Sequence, residues 1–340
     1  MEILNDLKLK DAPYPLQKEV PGGPNIYYKF FFGEHGTKRD YALQREHIEQ
    51  ADIVIDESVG WDHDLQRNTQ EVIDGRRTPE EELARDNVSL DNSRYAIYLS
   101  ELQARYNTQK PFGYIDLPLN HHLLEQSTGL LRTFGLQGAL YFMYSPANRS
   151  HEDFSDFIND WQEYVKAFAL IQKQREEYML SQLDPTVQSI IQNSPDLKDK
   201  KEIQVLLVIG AVHTGLYIDL KKKLPDKVSR EFSNSPYNFD YESEALRAFM
   251  FEKQVDDILL ARSLLQRVLQ NTLDISSLNF GEFKDSLREI GSEFLTDDVE
   301  EVFQSAENRE DVPASFLRKI RSKGLDKKFP ASRIISLLAA

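Results

Sequence analysis

Residues 204–210, Gln-Val-Leu-Leu-Val-Ile-Gly, decide the fold class of this chain. This is the most strand-like run in the sequence, and it is apolar on both faces. A strand of that kind is typical of the centre of a parallel sheet, which helices cover on both sides. The run therefore predicts an α/β protein.

Shorter apolar runs predict three further strands, over residues 26–32, 51–57 and 112–117. The polar segment between the first two strands, about residues 38–50, suits a helix. A strand–helix–strand unit of about 30 residues has parallel strands. We therefore expect a central, mostly parallel sheet flanked by helices, with helical insertions and a helical C-terminal extension.

The predicted domain organisation has three parts. Residues 1–25 contain four prolines and are expected to be irregular, because proline disfavours both helix and sheet ladder. Residues 26–234 form the α/β domain, and residues 235–340 the helical extension. A long amphipathic helix is expected to begin at Ser150 and to be broken at Asp184-Pro185.

Composition excludes several classes of site and partner. The chain has no cysteine, which excludes a disulfide scaffold, a thiol nucleophile, a cysteine zinc site and an iron–sulfur cluster. Its 41 Lys and Arg against 56 Asp and Glu, a net charge of −15, argue against broad binding to nucleic acid. The first residues do not read as a signal peptide, and no stretch approaches a membrane span. We expect a cytoplasmic protein with a small-molecule or peptide substrate and no membrane or nucleic-acid partner.

Ionisable residues follow each predicted strand. Glu34 and His35 follow the first strand, Glu57 ends the second, Asp116 lies near the end of the third and His213 follows the fourth. Ligands of open parallel sheets bind beyond the carboxyl ends of the strands. Histidines and carboxylates gathered there can act as base, acid or metal ligands. The alternative is that these are ordinary polar surface loops; four such strand ends favour a site.

Arg175 lies on the inward face of the predicted long helix, in phase with Trp161 and Val165. A buried guanidinium needs a carboxylate partner, and we expect Glu57 or Glu34. Two interpretations stay open for this arginine. It could orient a carboxylate or stabilise an oxyanion, or it could form a structural salt bridge near a helix C-terminus.

His121 and His122 follow Asp116 closely in the chain. They are candidates for the lining of a substrate pocket, together with Asp116. The alternative interpretation is a surface pair at a helix N-terminus.

Five short motifs resemble, in order, those of the erythromycin esterase-like proteins and their wider superfamily, which includes the ChaN haem-uptake proteins and the TraB/TIKI proteins. Phe32-Gly33-Glu34-His35-Gly36-Thr37 resembles the opening motif G-E-x-x-H-G-T, but is a residue or two shorter. The other four likenesses are a second-strand acidic motif, a third-strand G-x-D motif, an R-x-x-x-M-x-x-x-L helix and a second G-x-x-H motif, at residues 51–57, 112–116, 175–183 and 208–215.

The likeness covers about residues 26–225 and implies a site built from His35, Glu57, Arg175 and His213, with Glu34 beside it. In the esterase-like branch a histidine and a glutamate activate the water that hydrolyses a lactone. The TIKI branch is described as metal-dependent peptidases, and the ChaN branch binds haem iron.

The sequence therefore predicts a hydrolase in which His35 or His213 activates water, with Glu57 and Glu34 as partners and Arg175 steadying the anion. A divalent metal, Mn, Fe, Co or Zn, is left open, with His35, Glu57 and His213 as its ligands. Two alternatives are a non-catalytic metal- or haem-binding protein on the same scaffold and an interaction protein that has lost the chemistry.

Overall fold

A computed structural model describes residues 23–33, 38–85, 92–124, 154–233, 237–272, 280–305 and 311–328. The chain divides into two compact units. One comprises Met1–Glu125 and Gln172–Tyr237, and the other Gln126–Ile171 and Asn238–Ala340. None of the helices in these described ranges is long and apolar enough to cross a membrane.

The first unit is built on a five-stranded sheet in which all neighbouring strands are parallel. The strand order is β3-β2-β4-β1-β5, with bounds β1 (Asn25–Gly33), β2 (Ile53–Asp56), β3 (Phe112–Tyr114), β4 (Glu202–Gly210) and β5 (Val228–Phe232). The expected α/β fold is confirmed, and the apolar run of residues 204–210 lies in the central strand β4. The edge strand β5 was not predicted, because its middle residues are polar and exposed.

Helices surround this sheet and form the second unit. Those of the first unit are α1 (Lys38–Gln50), α2 (His63–Ile73), α3 (Pro79–Arg85), α4 (Asn92–Arg105), the last part of α5 (Phe154–Asn193), α6 (Pro195–Lys198) and α7 (Thr214–Lys223). The second unit holds the first part of α5 and α8 (Tyr241–Met250), α9 (Asp257–Thr272), α10 (Phe280–Ser292), α11 (Thr296–Ser305) and α12 (Asp311–Ser322). Short 3₁₀ turns occupy Ala211–His213 and Leu325–Lys328.

Alternate residues of β1 face opposite layers of helices. Phe31 belongs to a buried cluster with Ile48 of α1 and Val54 of β2. Phe30 points to the other face, where its ring meets Tyr217 of α7 edge-on, with 5.6 Å between ring centroids. The period of two along the strand thus buries aromatic side chains on both faces, as a central parallel strand requires.

The sheet has a topological switch point between β1 and β4. The chain leaves β1 through α1 toward one edge of the sheet and leaves β4 through α7 toward the other. These adjacent strands end together, with Gly33 opposite Gly210. In open α/β sheets the ligand crevice lies at such a point, outside the carboxyl ends of the strands.

The expected break at Asp184-Pro185 is wrong, because α5 continues through Pro185 to Asn193. An internal proline costs a helix about 3 kcal/mol. The apolar stripe nevertheless continues past it, and Leu183, Val187 and Ile191 are all buried. Burial on both sides of the proline outweighs the lost hydrogen bond.

Candidate functional site

The carboxyl edge of the sheet brings together residues that are far apart in the chain. Asp116, Glu57 and His213 follow β3, β2 and β4, which are consecutive neighbours in the sheet. Parallel strands end at the same edge, so the order of the strands places these residues side by side. Arg175 and Glu176 reach the same group from α5.

His213 lies between two carboxylates. It ends the 3₁₀ turn that links β4 to α7, and only 1% of its side chain is exposed. Its Nε2 lies 3.6 Å from Oε2 of Glu57, and its Nδ1 lies 3.3 Å from Oε1 of Glu176. The exposed fractions of Glu57 and Glu176 are 12% and 9%. Water screens such a group weakly, so these charges interact strongly.

Asp56 fixes the position of Glu57. Its Oδ1 accepts a 2.9 Å hydrogen bond from the backbone N–H of Glu57. Its Oδ2 pairs with Arg105, a buried residue of α4, and Arg105 also donates to Glu101 at 2.7 Å. This buried network holds the end of β2 in place.

The partner of Arg175 is Asp116, not the expected Glu57; the other expected partner, Glu34, lies outside the described residues. Arg175 Nε donates to Asp116 Oδ1 at 2.7 Å and Nη2 donates to Oδ2, so the pair is bidentate. Burial alone lowers the pKa of Arg175, but its hydrogen bonds with Asp116 and the charges of Asp116, Glu57 and Glu176 raise it above its ordinary value.

The packing of α5 on β3 explains this choice of partner. A Cβ on Gly113 would come within 2.8 Å of Thr186, so the helix runs close above the edge strand. Arg175 lies three helical turns before Thr186, and this places it above the loop that follows β3, where Asp116 lies.

His121 and His122 follow the same loop, and His121 also contacts α5. The His121 ring is 4.6 Å from that of Tyr178, one turn along the helix from Arg175, and 4.5 Å from that of His122. Its Nδ1 accepts a 3.2 Å hydrogen bond from the backbone N–H of Leu123. Burial, and then the neighbouring His122, lower the pKa of His121. His122 is exposed.

Two predicted site residues, Glu34 and His35, lie outside the described residues. The last described residue before them, Gly33, pairs with Gly210 at the switch point. Their place in the site therefore stays a prediction.

No role was predicted for Glu176 from the sequence. Its helical phase could have identified it, because Gln172, Glu176, Met179 and Leu183 form the buried stripe of α5 at three- and four-residue spacing. Arg175 lies at the margin of this stripe, with its guanidinium turned toward Asp116.

Two of the three predicted metal ligands, Glu57 and His213, lie among the described residues. Among the residues that the structure describes, no three His, Asp or Glu side chains group together as a metal site, and the third predicted ligand, His35, is not described. The separation of 3.6 Å between His213 Nε2 and Glu57 Oε2 is close to that of two ligands bound at about 2.1 Å to one ion. These two donors therefore fit a metal, but they do not complete its coordination.

Comparison with models of protein families, with the curated proteins and with solved structures found no match for this chain. The likeness to the erythromycin esterase-like superfamily stays a prediction from its five motifs.

Proposed function

We propose that this protein is a hydrolase of the erythromycin esterase-like type, acting on a small ester or lactone. One observation carries the proposal. A buried imidazole, His213, lies between two carboxylates at the switch point of a parallel sheet, with a buried arginine beside them. A base, an orienting carboxylate and a cation are the groups that acyl transfer to water needs.

A water that bridges His213 Nε2 and Glu57 Oε2 would be the attacking water. Because His213 Nε2 and Glu57 Oε2 are 3.6 Å apart, one water oxygen can lie at a hydrogen-bond distance of about 2.8 Å from both atoms. Glu57 would orient that water, and His213 would take its proton. His35, the other base predicted from the sequence, would be an alternative acceptor.

The reaction balances with these groups alone. As His213 Nε2 takes the proton, the water oxygen bonds to the carbonyl carbon, whose oxygen becomes an oxyanion. Arg175 makes hydrogen bonds to Asp116 and Gln172 with three of its five N–H groups, and the others would stabilise that oxyanion. The bond from carbon to the alcohol oxygen then breaks, and His213 returns its proton to that oxygen. The products are an acid and an alcohol.

A metal-assisted form is the second candidate, supported by the facing donors of His213 and Glu57. With His35 they would hold a divalent ion such as Mn, Fe, Co or Zn. Such an ion polarises a carbonyl group and makes bound water more acidic. With a metal, peptides would also be possible substrates. A protein that binds the metal without turning over any substrate is included in this second candidate.

A substrate panel tests the proposal. Purified full-length protein is assayed on esters, lactones and peptides, after chelation and with added Mn, Co or Zn. We expect turnover of an ester or lactone, a loss of roughly 10²-fold or more in Glu57→Gln, and no change in Glu49→Gln, which alters an exposed glutamate of α1. Wild-type protein that is inert on all three classes in every arm would contradict the proposal.

A further inference from the structure

We infer that Glu176 is a positioning residue, which accepts a hydrogen bond from the Nδ1–H of His213 and so keeps the proton on Nδ1 and the lone pair on Nε2, toward Glu57. This assignment deepens the proposed function and rests on it for the role of Nε2. The contact itself is independent of any substrate.

The geometry around Nδ1 supports one hydrogen-bond partner. Glu176 Oε1 lies 3.3 Å from Nδ1, with an alignment that falls short of a hydrogen bond. Both atoms are fully buried, and neither makes a hydrogen bond to another group. A buried polar atom without a hydrogen bond carries a desolvation cost. A small rotation of the Glu176 side chain that closes the hydrogen bond to Nδ1 is therefore favoured. Catalytic hydrogen bonds are often loose before substrate binds.

Gly215 makes room for the Glu176 carboxylate. A Cβ at this position would overlap Oε2 of Glu176 and lie 3.1 Å from its Cδ. The carboxylate therefore rests against the first turn of α7, where the helix dipole favours a negative charge. A glycine here suits the close approach of Glu176 to His213.

The fixed proton decides which nitrogen can act as base. A neutral imidazole has one nitrogen that donates a hydrogen bond and one that accepts. An acceptor group beside one nitrogen therefore keeps the proton there and leaves the other nitrogen free to act as a base. With its proton held on Nδ1, His213 presents the Nε2 lone pair where Glu57 faces it. In the opposite tautomer Nε2 would carry a proton and could not take one from water.

The test is ¹⁵N NMR of the His213 ring in full-length protein labelled at histidine, with the signals assigned by His213→Asn. We expect wild-type protein to show a proton on Nδ1 and none on Nε2. Glu176→Ala is expected to lose this single tautomer, whereas Glu176→Gln is expected to keep it, because the amide oxygen can still accept the hydrogen bond. Glu177→Ala changes the exposed neighbour of Glu176 on α5 and is expected to leave the tautomer unchanged.

Gly215→Ala is the second variant, because it displaces the Glu176 carboxylate without removing an ionisable group. It is expected to act like Glu176→Ala on the tautomer, and both to lower turnover roughly 10²–10⁴-fold. Wild-type protein with its proton on Nε2, or a tautomer that survives Glu176→Ala, would overturn the inference. The NMR result needs no substrate, so a fixed Nδ1 proton in a protein without turnover would contradict the proposed function alone.

Discussion

Asp116 is completely buried, and both of its carboxylate oxygens hold Arg175. Its Oδ1 also accepts a 2.7 Å hydrogen bond from the backbone N–H of Leu117. The pair therefore ties the loop after β3 to α5. It also fixes a guanidinium whose pKa the charges of Glu57 and Glu176 help to raise.

Replacing Asp116 by alanine leaves the Arg175 charge without its partner in a site that excludes most water. We expect Asp116→Ala to lower the free energy of unfolding by about 3–5 kcal/mol, measured by urea denaturation. Asp219→Ala is the matched control, because it removes the acid of an exposed pair with Lys222, and its cost is expected to be below about 1 kcal/mol. Equal losses in the two variants would show that the buried pair contributes no more than a surface pair.

Three of the predicted site residues have positions that follow from sheet topology. Glu57, Asp116 and His213 each follow a strand, and parallel strands bring their carboxyl ends to one edge. The residues of α5 were harder to assign, because a helix presents its side chains at 100° steps and adjacent residues diverge. The predicted partner of Arg175 was therefore Glu57 or Glu34, whereas the structure pairs it with Asp116, and no role was predicted for Glu176.

The helix α5 shows how tertiary burial outweighs local propensity. Pro185 cannot donate to the backbone carbonyl four residues before it and is unfavourable within a helix. The sequence alone therefore indicated a break. The buried stripe on both sides of the proline, which only the folded sheet provides, keeps the helix continuous.

Restoring the missing hydrogen bond is expected to stabilise the protein. Pro185 is exposed, so Pro185→Ala creates no cavity, and we expect a gain of about 1–3 kcal/mol in the free energy of unfolding. Pro195→Ala is the control, because Pro195 occupies the first position of α6, where proline is favourable. A loss of stability in Pro185→Ala would contradict this account.

A group of charged side chains links β1, β5 and α1. The Nζ of Lys29 on β1 lies 2.8 Å from Oε2 of Glu231 on β5 and 3.2 Å from Nδ1 of His47 on α1. Burial, and then the charge of Lys29, lower the pKa of His47, while Glu231 and Glu46 act in the opposite direction. The folded protein therefore binds fewer protons at His47 than the unfolded chain does.

The sign of this shift fixes a pH dependence. Because the folded pKa of His47 is lowered, its contribution to stability is present above the ordinary histidine pKa of about 6.5 and is lost as the pH falls below it. We expect the loss of melting temperature between pH 7.5 and pH 5.5 to be smaller in His47→Gln than in wild-type protein. The replacement of exposed His122 by glutamine serves as the control. A steeper loss in His47→Gln would show that Glu231 dominates.

At the scale of the whole molecule, the sequence predicted the sheet, with a domain over residues 26–234 and a helical extension over residues 235–340, whereas the second compact unit joins residues 238–340 with residues 126–171. A buried apolar strand identifies itself by composition, whereas β5 is short and polar because it lies at the edge. One of the three boundaries between the units falls within α5, between Ile171 and Gln172. A continuous helix carries no Gly, Ser or Pro linker, so composition has no signal there.

We propose that the residues at the carboxyl edge of the sheet form one hydrolytic site, with His213 as its base. The most direct measurement is kcat/KM for the best ester or lactone of the panel, compared between wild-type protein, His213→Asn and His122→Asn. We expect His213→Asn to lose roughly 10²–10⁴-fold and His122→Asn to lose less than about tenfold, because the His122 side chain is exposed. Equal losses in the two variants, or full activity in His213→Asn, would contradict the account.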